Sequence, residues 1–412
     1  MVTVLKTKRN KPRKPYSSFP LTAHNNGQWC KKVQGKIHFF GVWADPKGAH
    51  SNYLRVAEDL HAGRQPAPSN IAPDEPTVKD VCNRYLNFEL QKLNAKEISP
   101  RTFEDYRTVT ESFANFVGSH RLVSDLAPDD FLRFRQKLSR TGLSGKRGQG
   151  VSALSRNITI IKMVFRYAHD DDVIDKPVKY GKAFEKPSII SMRKSRQASE
   201  QQNGKKLFEP AEVRSLLSTA SVPVRAMILL GINGGFGNTD CARLQIKAVD
   251  FDSGTIEFDR PKTGVERVVP LWSETVEALR KALAQRPKPA DAGADRLVFL
   301  TTFGKPWVRE NVRRASDGSV EGIASTDSIG EEFGKILSKL GIKRKGVGFY
   351  ALRHTFRTWA DDARDQHAIH RIMGHAIPGM SGIYVEKIEP YRLRAVVDKV
   401  HATLLSGQAG VS

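Results

Sequence analysis

Tyr350-Ala-Leu-Arg353-His354-Thr-Phe356, then Ile372-Met-Gly-His375, then Ser381-Gly-Ile-Tyr384-Val-Glu, is the ordered set that decides this chain. It places an arginine, two histidines and an isolated tyrosine in one short stretch of a basic protein. Leu352 and Phe356, four residues apart, bury one face of a helix and leave Arg353 to be presented from another side. A guanidinium is planar, permanently charged and bidentate toward phosphate oxygens. A phenol hydroxyl can attack phosphorus, and an imidazole can donate to a phosphate oxygen. These are parts for cutting a phosphodiester.

Composition agrees with a polyanionic partner. The 412 residues carry 66 Lys+Arg against 44 Asp+Glu, a formal charge of +22. Such an excess favours nucleic acid, because each neutralised phosphate releases condensed counterions. A ribosomal or merely soluble basic protein is the reading that charge alone leaves open. Cys30, Cys82 and Cys241 are odd in number and far apart, so no disulfide framework or CxxC metal site is indicated. No apolar run approaches the roughly 20 residues of a membrane span, and the N-terminus has no apolar signal region. A cytoplasmic, reducing compartment is expected.

Organisation along the chain predicts a mainly α protein with small β-sheets. Residues 1–20 form a basic tail, readable as a solvated arm or as an electrostatic tether. Residues 21–64 contain the turn signals Asn25-Asn26-Gly27 and Gln34-Gly35-Lys36 between aromatic, alternating segments. They predict an antiparallel sheet of at most three strands and a helix over about 52–62. Lys31, Lys32 and Lys36 are its candidate DNA contacts. A Pro-rich linker follows, and residues 76–170 carry helical periodicity in four segments. The loop 139–150, with Arg140, Lys146 and Arg147, reads as mobile, basic and suited to a phosphate backbone. Residues 171–206 read as a charged connector without sustained periodicity. Residues 207–412 alternate helices with a short β element and form an α+β domain.

The C-terminal boxes resemble those of the tyrosine recombinase (phage integrase) family over the last 200 residues. The helical segment and the N-terminal sheet resemble the family's core-binding and arm-type DNA-binding domains in architecture only. The resemblance implies that Tyr384 is the nucleophile of a 3′-phosphotyrosyl intermediate, with Arg353 and His375 on the phosphate. It implies that Lys262, in Arg260-Pro-Lys262-Thr-Gly264, protonates the departing 5′ oxygen. Tyr350 stands where the family box begins with histidine; it can donate a hydrogen bond but holds no positive charge near neutral pH. His354 takes a structural place inside the domain. The implied partner is double-stranded DNA, with the protein a tetramer on paired sites and a monomer or weak oligomer off DNA. The last helix, about 391–405, would pack on a neighbouring protomer or on its own domain. No cofactor is implied. His367, His370 and His375 have no Cys or carboxylate to complete a ligand set, so no metal is expected either.

One box departs from the pattern. The family's first box reads Thr-Gly-x-Arg-x-x-Glu-Leu, and the matching run here is Asn233-Gly-Gly-Phe-Gly237-Asn-Thr-Asp240-Cys-Ala-Arg243-Leu244. Asp240, Leu244 and Asp250 fall in register, which puts Gly237 where the first catalytic arginine belongs. Arg243 lies six residues later, roughly 120° away around a helix, and Arg225 lies on the preceding helix. Either is a candidate substitute. Two readings stay open: an active recombinase of a divergent branch, or a recombinase-like protein that binds DNA sites and cuts poorly. A DNA-binding regulator and a type IB topoisomerase-like activity are the rivals from other classes.

Overall fold

The computed structural model describes residues 11–61, 75–261, 264–316, 320–376 and 388–406. They fall into two compact units, Met1–Ser195 with Val312–Ala324, and Arg196–Asn311 with Ser325–Ser412. Among the described residues no helix is long and apolar enough to cross a membrane.

The first unit begins with a small sheet in which β1 (Thr22–Ala23), β2 (Gln28–Val33) and β3 (Lys36–Val42) pair antiparallel in that order. The helix α1 (Pro46–His61) covers it, starting earlier than the expected residue 52. Phe19, Trp29, Phe40 and Tyr53 fill the core between sheet and helix. Phe19 is 1% exposed, so the end of the expected tail is core. Residues 1–10 lie outside the described residues. Lys31 is engaged within the module, its Nζ donating to the Tyr53 hydroxyl at 2.7 Å. Lys32 and Lys36 are exposed.

Four helices follow: α2 (Val78–Asn94), α3 (Pro100–Val117), α4 (Pro128–Thr141) and α5 (Val151–Asp170). Thr77 and Asp80 cap α2 reciprocally, and Ser99 with Pro100 starts α3, as helix N-termini favour. Phe113 is the hub of the core, meeting Phe134 and Phe165 edge-on. The loop after α4, expected to be mobile, is closed down by hydrogen bonds. Arg147 N donates to Thr141 O at 3.1 Å, and Asn157 Nδ2 to Gln149 Oε1 at 2.6 Å. Arg140, Lys146 and Arg147 stay exposed around it. Phe184 is fully buried with the bundle, so that core extends into the stretch expected to be a connector. Val320, distant in sequence, is buried there too. The stretch expected to be a connector also contains a helix, α6 (Ile189–Asn203), which buries no side chain.

In the second unit α7 (Pro210–Thr219) leads to α8 (Val222–Gly234), which is apolar around its whole circumference and therefore central. The short α9 (Asn238–Arg243) precedes a meander of β4 (Val249–Asp250), β5 (Thr255–Glu257) and β6 (Val268–Pro270), antiparallel in that order. Then come α10 (Ser273–Ala284) and α11 (Ala292–Asp295), followed in the chain by the strand pair β7 (Val308–Arg314) and β8 (Val320–Asp327), whose residues Val312–Ala324 belong to the first unit. The helices α12 (Ser328–Lys339), α13 (Ala351–Ala360) and α14 (Gln366–Met373) precede a final helix, Pro390–Leu405. Gly231 lets α13 lie close on α8, since a Cβ there would meet Leu352 Cδ1 at 2.9 Å. The final helix buries Leu393, Val396, Val397, Val400 and Leu404 in this unit's own core. Of the two expected places for that helix, this structure has the one on its own domain. Trp272 Nε1 donates to Val397 O at 3.0 Å and fastens it.

Asn233 joins three elements from the end of α8. Its Nδ2 donates to Pro270 O at 3.0 Å, while its Oδ1 accepts from Trp272 N and from Thr275 Oγ1, both at 2.9 Å. Asn233→Ala would leave those buried groups unpartnered, at a cost of about 3 kcal/mol. A lowered urea midpoint for the second unit is the expected outcome, and an unchanged midpoint contradicts it.

Candidate functional site

Two helices end at one place. The C-terminus of α8 turns at Gly235 (φ 65°) and that of α14 at Gly374 (φ 61°), both in the left-handed region that glycine adopts readily. Their last carbonyls carry partial negative charge and point at common ground. Two arginines take them up. Arg267, fully buried, donates from Nε to Ile372 O and from Nη2 to Gly234 O, each at 2.9 Å. Its guanidinium lies 3.8 Å over the Phe236 ring. Arg353, 2% exposed, donates from Nη1 to Gly235 O and from Nη2 to Met373 O at 2.8 Å. Asp240 serves both, 3.4 Å from Arg267 Nη1 and 3.8 Å from Arg353 Nη1. The same carboxylate accepts from Gly237 N at 2.9 Å, fixing the start of α9.

Charge and burial set the protonation states. Burial lowers the Arg267 pKa to about 10, opposed by Asp240, so it stays charged at neutral pH. Burial also lowers that of Arg353; Arg260 lowers it further, and Asp240 and Tyr350 counteract. Arg353 Nη2 stands 2.6 Å from His375 Nε2. An arginine only donates, so Nε2 accepts and the imidazole proton sits on Nδ1. Burial first, then Arg353, Arg260, His370 and Arg267, push the His375 pKa down to about 4. His375 is therefore neutral at neutral pH.

The sequence candidates separate on this frame. Arg353, His375, Asp240 and Tyr350 come together. Tyr350 is 46% exposed at the head of α13. Its ring atoms lie 3.1 Å from where a Cβ on Gly237 would stand. The space beside Gly237 is thus filled by an aromatic ring. Arg243 is exposed, and Arg225 lies beside Glu277 in a recess lined by Trp272, Glu274 and His401. Neither is among the leading electrostatic partners of Arg353 or His375. His354 is at the surface, its ring 5.4 Å from Tyr350, rather than inside the domain. Thr355 takes the internal place, accepting from Phe208 N and donating to Ala351 O, both at 3.0 Å. Among the described residues no group of three metal-capable side chains forms. Lys262 and Tyr384 lie outside the described residues. Sequence reasoning passed over Arg260 and Arg267 as site residues, because no spacing marks a guanidinium that tertiary packing buries.

The chain resembles known proteins in the same region. Residues 203–389 match the phage integrase family. The tyrosine recombinase XerC of Pelotomaculum thermopropionicum is 27% identical over 328 residues, covering 76% of this chain and 96% of that protein. That of Pelobacter propionicus is 24% identical, covering 76% and 93%. In fold, the chain is similar to a lambda integrase dimer bound to a COC′ core site, with a TM-score of 0.52 and 16% identity over 92% of this chain and 99% of that one. It is also similar to the Tn1549 transposon integrase in complex with transposon right end DNA, with a TM-score of 0.51 and 17% identity over 78% and 99%. Residues 203–389, which hold the frame of Arg353, Asp240 and His375, thus carry a domain that matches the phage integrase family.

Proposed function

We propose that the protein is a site-specific DNA recombinase that cuts and rejoins duplex DNA through a 3′-phosphotyrosyl bond. The observation that carries this reading is Arg353, buried and held by two helix-terminal carbonyls, with neutral His375 against it. A phosphate oxygen displaces His375 Nε2 from Arg353 and takes its hydrogen bond. The Tyr384 oxygen forms the bond to phosphorus and passes its proton to water, the bond from phosphorus to the 5′ oxygen breaks, and Lys262 gives that oxygen a proton. The free 5′ hydroxyl of another strand reverses the step, so bond energy is kept and no external energy source is required. Arg353 and Arg267 with Asp240 form a preorganised cationic frame that need not rearrange as charge develops. Double-stranded DNA is the partner, and solved relatives support assembly on it: one is a lambda integrase tetramer bound to a Holliday junction.

A pool of nicked duplexes of randomised sequence, whose short fragment diffuses away after cutting, tests the reading. A covalent protein–DNA adduct is expected, absent in Tyr384→Phe, whose DNA affinity is retained. Arg353→Lys is expected to slow adduct formation by about 100-fold or more. Unmodified protein with intact DNA affinity would instead favour a binding protein that does not cut.

His375 adds a pH dependence. Its pKa in the folded chain, about 4, is below the ordinary 6.5. Between those values the unfolded chain binds more protons, so stability falls as pH drops from about 6.5 to about 4. Nuclear magnetic resonance of the ring should find it neutral down to about pH 4, and His375→Gln should flatten that part of the stability profile. A ring that titrates near 6.5 contradicts the assignment.

A further inference from the structure

A third guanidinium borders this frame and takes no part in it. Arg260 is 8% exposed, and its buried Nε has no hydrogen-bond partner. Asp240 is shared by Arg267 and Arg353, and Glu266, in the same hairpin, pairs with Arg371 at 2.7 Å. Among the described residues no carboxylate pairs with Arg260. Its backbone is fixed by a tight turn, with Arg260 N donating to Val265 O at 2.9 Å and Gly264 N to Arg260 O at 2.8 Å. Its side chain lies along Gly374, where a Cβ would stand 2.8 Å from Arg260 Cβ and 3.2 Å from its Cδ. Glycine at 374 therefore makes room for this arginine next to His375. Its charge is the largest electrostatic influence on Arg353, ahead of Asp240, and it acts on His375 and Arg267 as well.

Three guanidiniums thus face one carboxylate. A buried cation without a counter-charge is unfavourable unless an anion completes it. Meanwhile the side where the first-box arginine would project is closed, since Tyr350 occupies the space above Gly237. We propose that Arg260 is the second phosphate-binding arginine of this protein, reaching a non-bridging oxygen of the scissile DNA phosphate from the Gly374 side while Tyr350 fills the place left at Gly237. The proposal rests on the recombinase reading for its catalytic part only.

The test has two arms. In the first, binding to a mixed-sequence duplex of about 30 base pairs is followed against salt; Arg260→Gln should lower the slope of log K on log salt by about one phosphate contact. In the second, adduct formation is timed on randomised nicked duplexes with either ordinary phosphates or neutral methylphosphonates at the cleavable positions. Arg260→Gln should slow the ordinary substrate by about 100-fold and differ little from the parent on the neutral one, where no anionic oxygen needs a cation. Arg260→Lys should recover part of the loss. If the parent forms no adduct but the salt slope still falls, the recombinase reading fails and Arg260 remains a phosphate ligand. An unchanged slope in a variant with the parent's circular dichroism melt overturns the proposal, and so does an equal defect on both substrates.

Discussion

Asp240 lies buried between two arginines that each close a helix C-terminus, and the geometry of the second unit follows from that arrangement. The ends of α8 and α14 both present carbonyls, so they would repel each other without cations between them. Arg267 and Arg353 supply those cations, and the single carboxylate keeps two like charges from opposing each other in a low-dielectric setting. Both terminal nitrogens of Arg353 donate to backbone carbonyls, Nη1 to Gly235 and Nη2 to Met373, and Nη2 also donates to His375. Its position is therefore determined before any ligand arrives, which is what electrostatic stabilisation of a phosphate requires.

The balance of charge then favours an anion. Asp240 is shared, His375 is neutral, and Arg260 adds a cation with no counterpart among the described residues. The pairing of Gly237 with Tyr350 belongs to the same logic. Once an aromatic ring fills the volume beside Gly237, an arginine cannot project there, and positive charge has to enter from the opposite rim. A change at one position of the first box and a change at one position of the second are thus one steric event.

Much of this was legible in the chain because the relevant signals are local. Arg353 and His375 stand at fixed distances from apolar residues of helical period, and the turns and caps of α2 and α3 are written in Thr77, Ser99 and Pro100. Other features left no such trace. The helix α6 buries nothing, so its sequence has no apolar stripe to detect. The strands β7 and β8 carry Arg309, Glu310, Arg313 and Arg314 among few apolar residues, and their pairing is not set by alternation. Arg243, about 120° around its helix from the expected direction, and Arg225 on the preceding helix were the candidates the sequence offered, yet only tertiary packing shows that Arg260 is the guanidinium beside Arg353 and His375. The surface place of His354 and the internal place of Thr355 are likewise decided by the approach of Phe208, more than a hundred residues upstream.

The final helix carries a consequence for biosynthesis. Leu393, Val397 and Leu404 fill the core around α8, and Trp272 is tied to the backbone of Val397. A nascent chain on the ribosome cannot complete this core until Leu404 has cleared the exit tunnel. The helical bundle, whose α2 to α5 emerge far earlier, can fold while synthesis continues. The cationic frame that would bind a phosphate matures last, so a chain interrupted before residue 390 carries the bundle without a finished reactive centre.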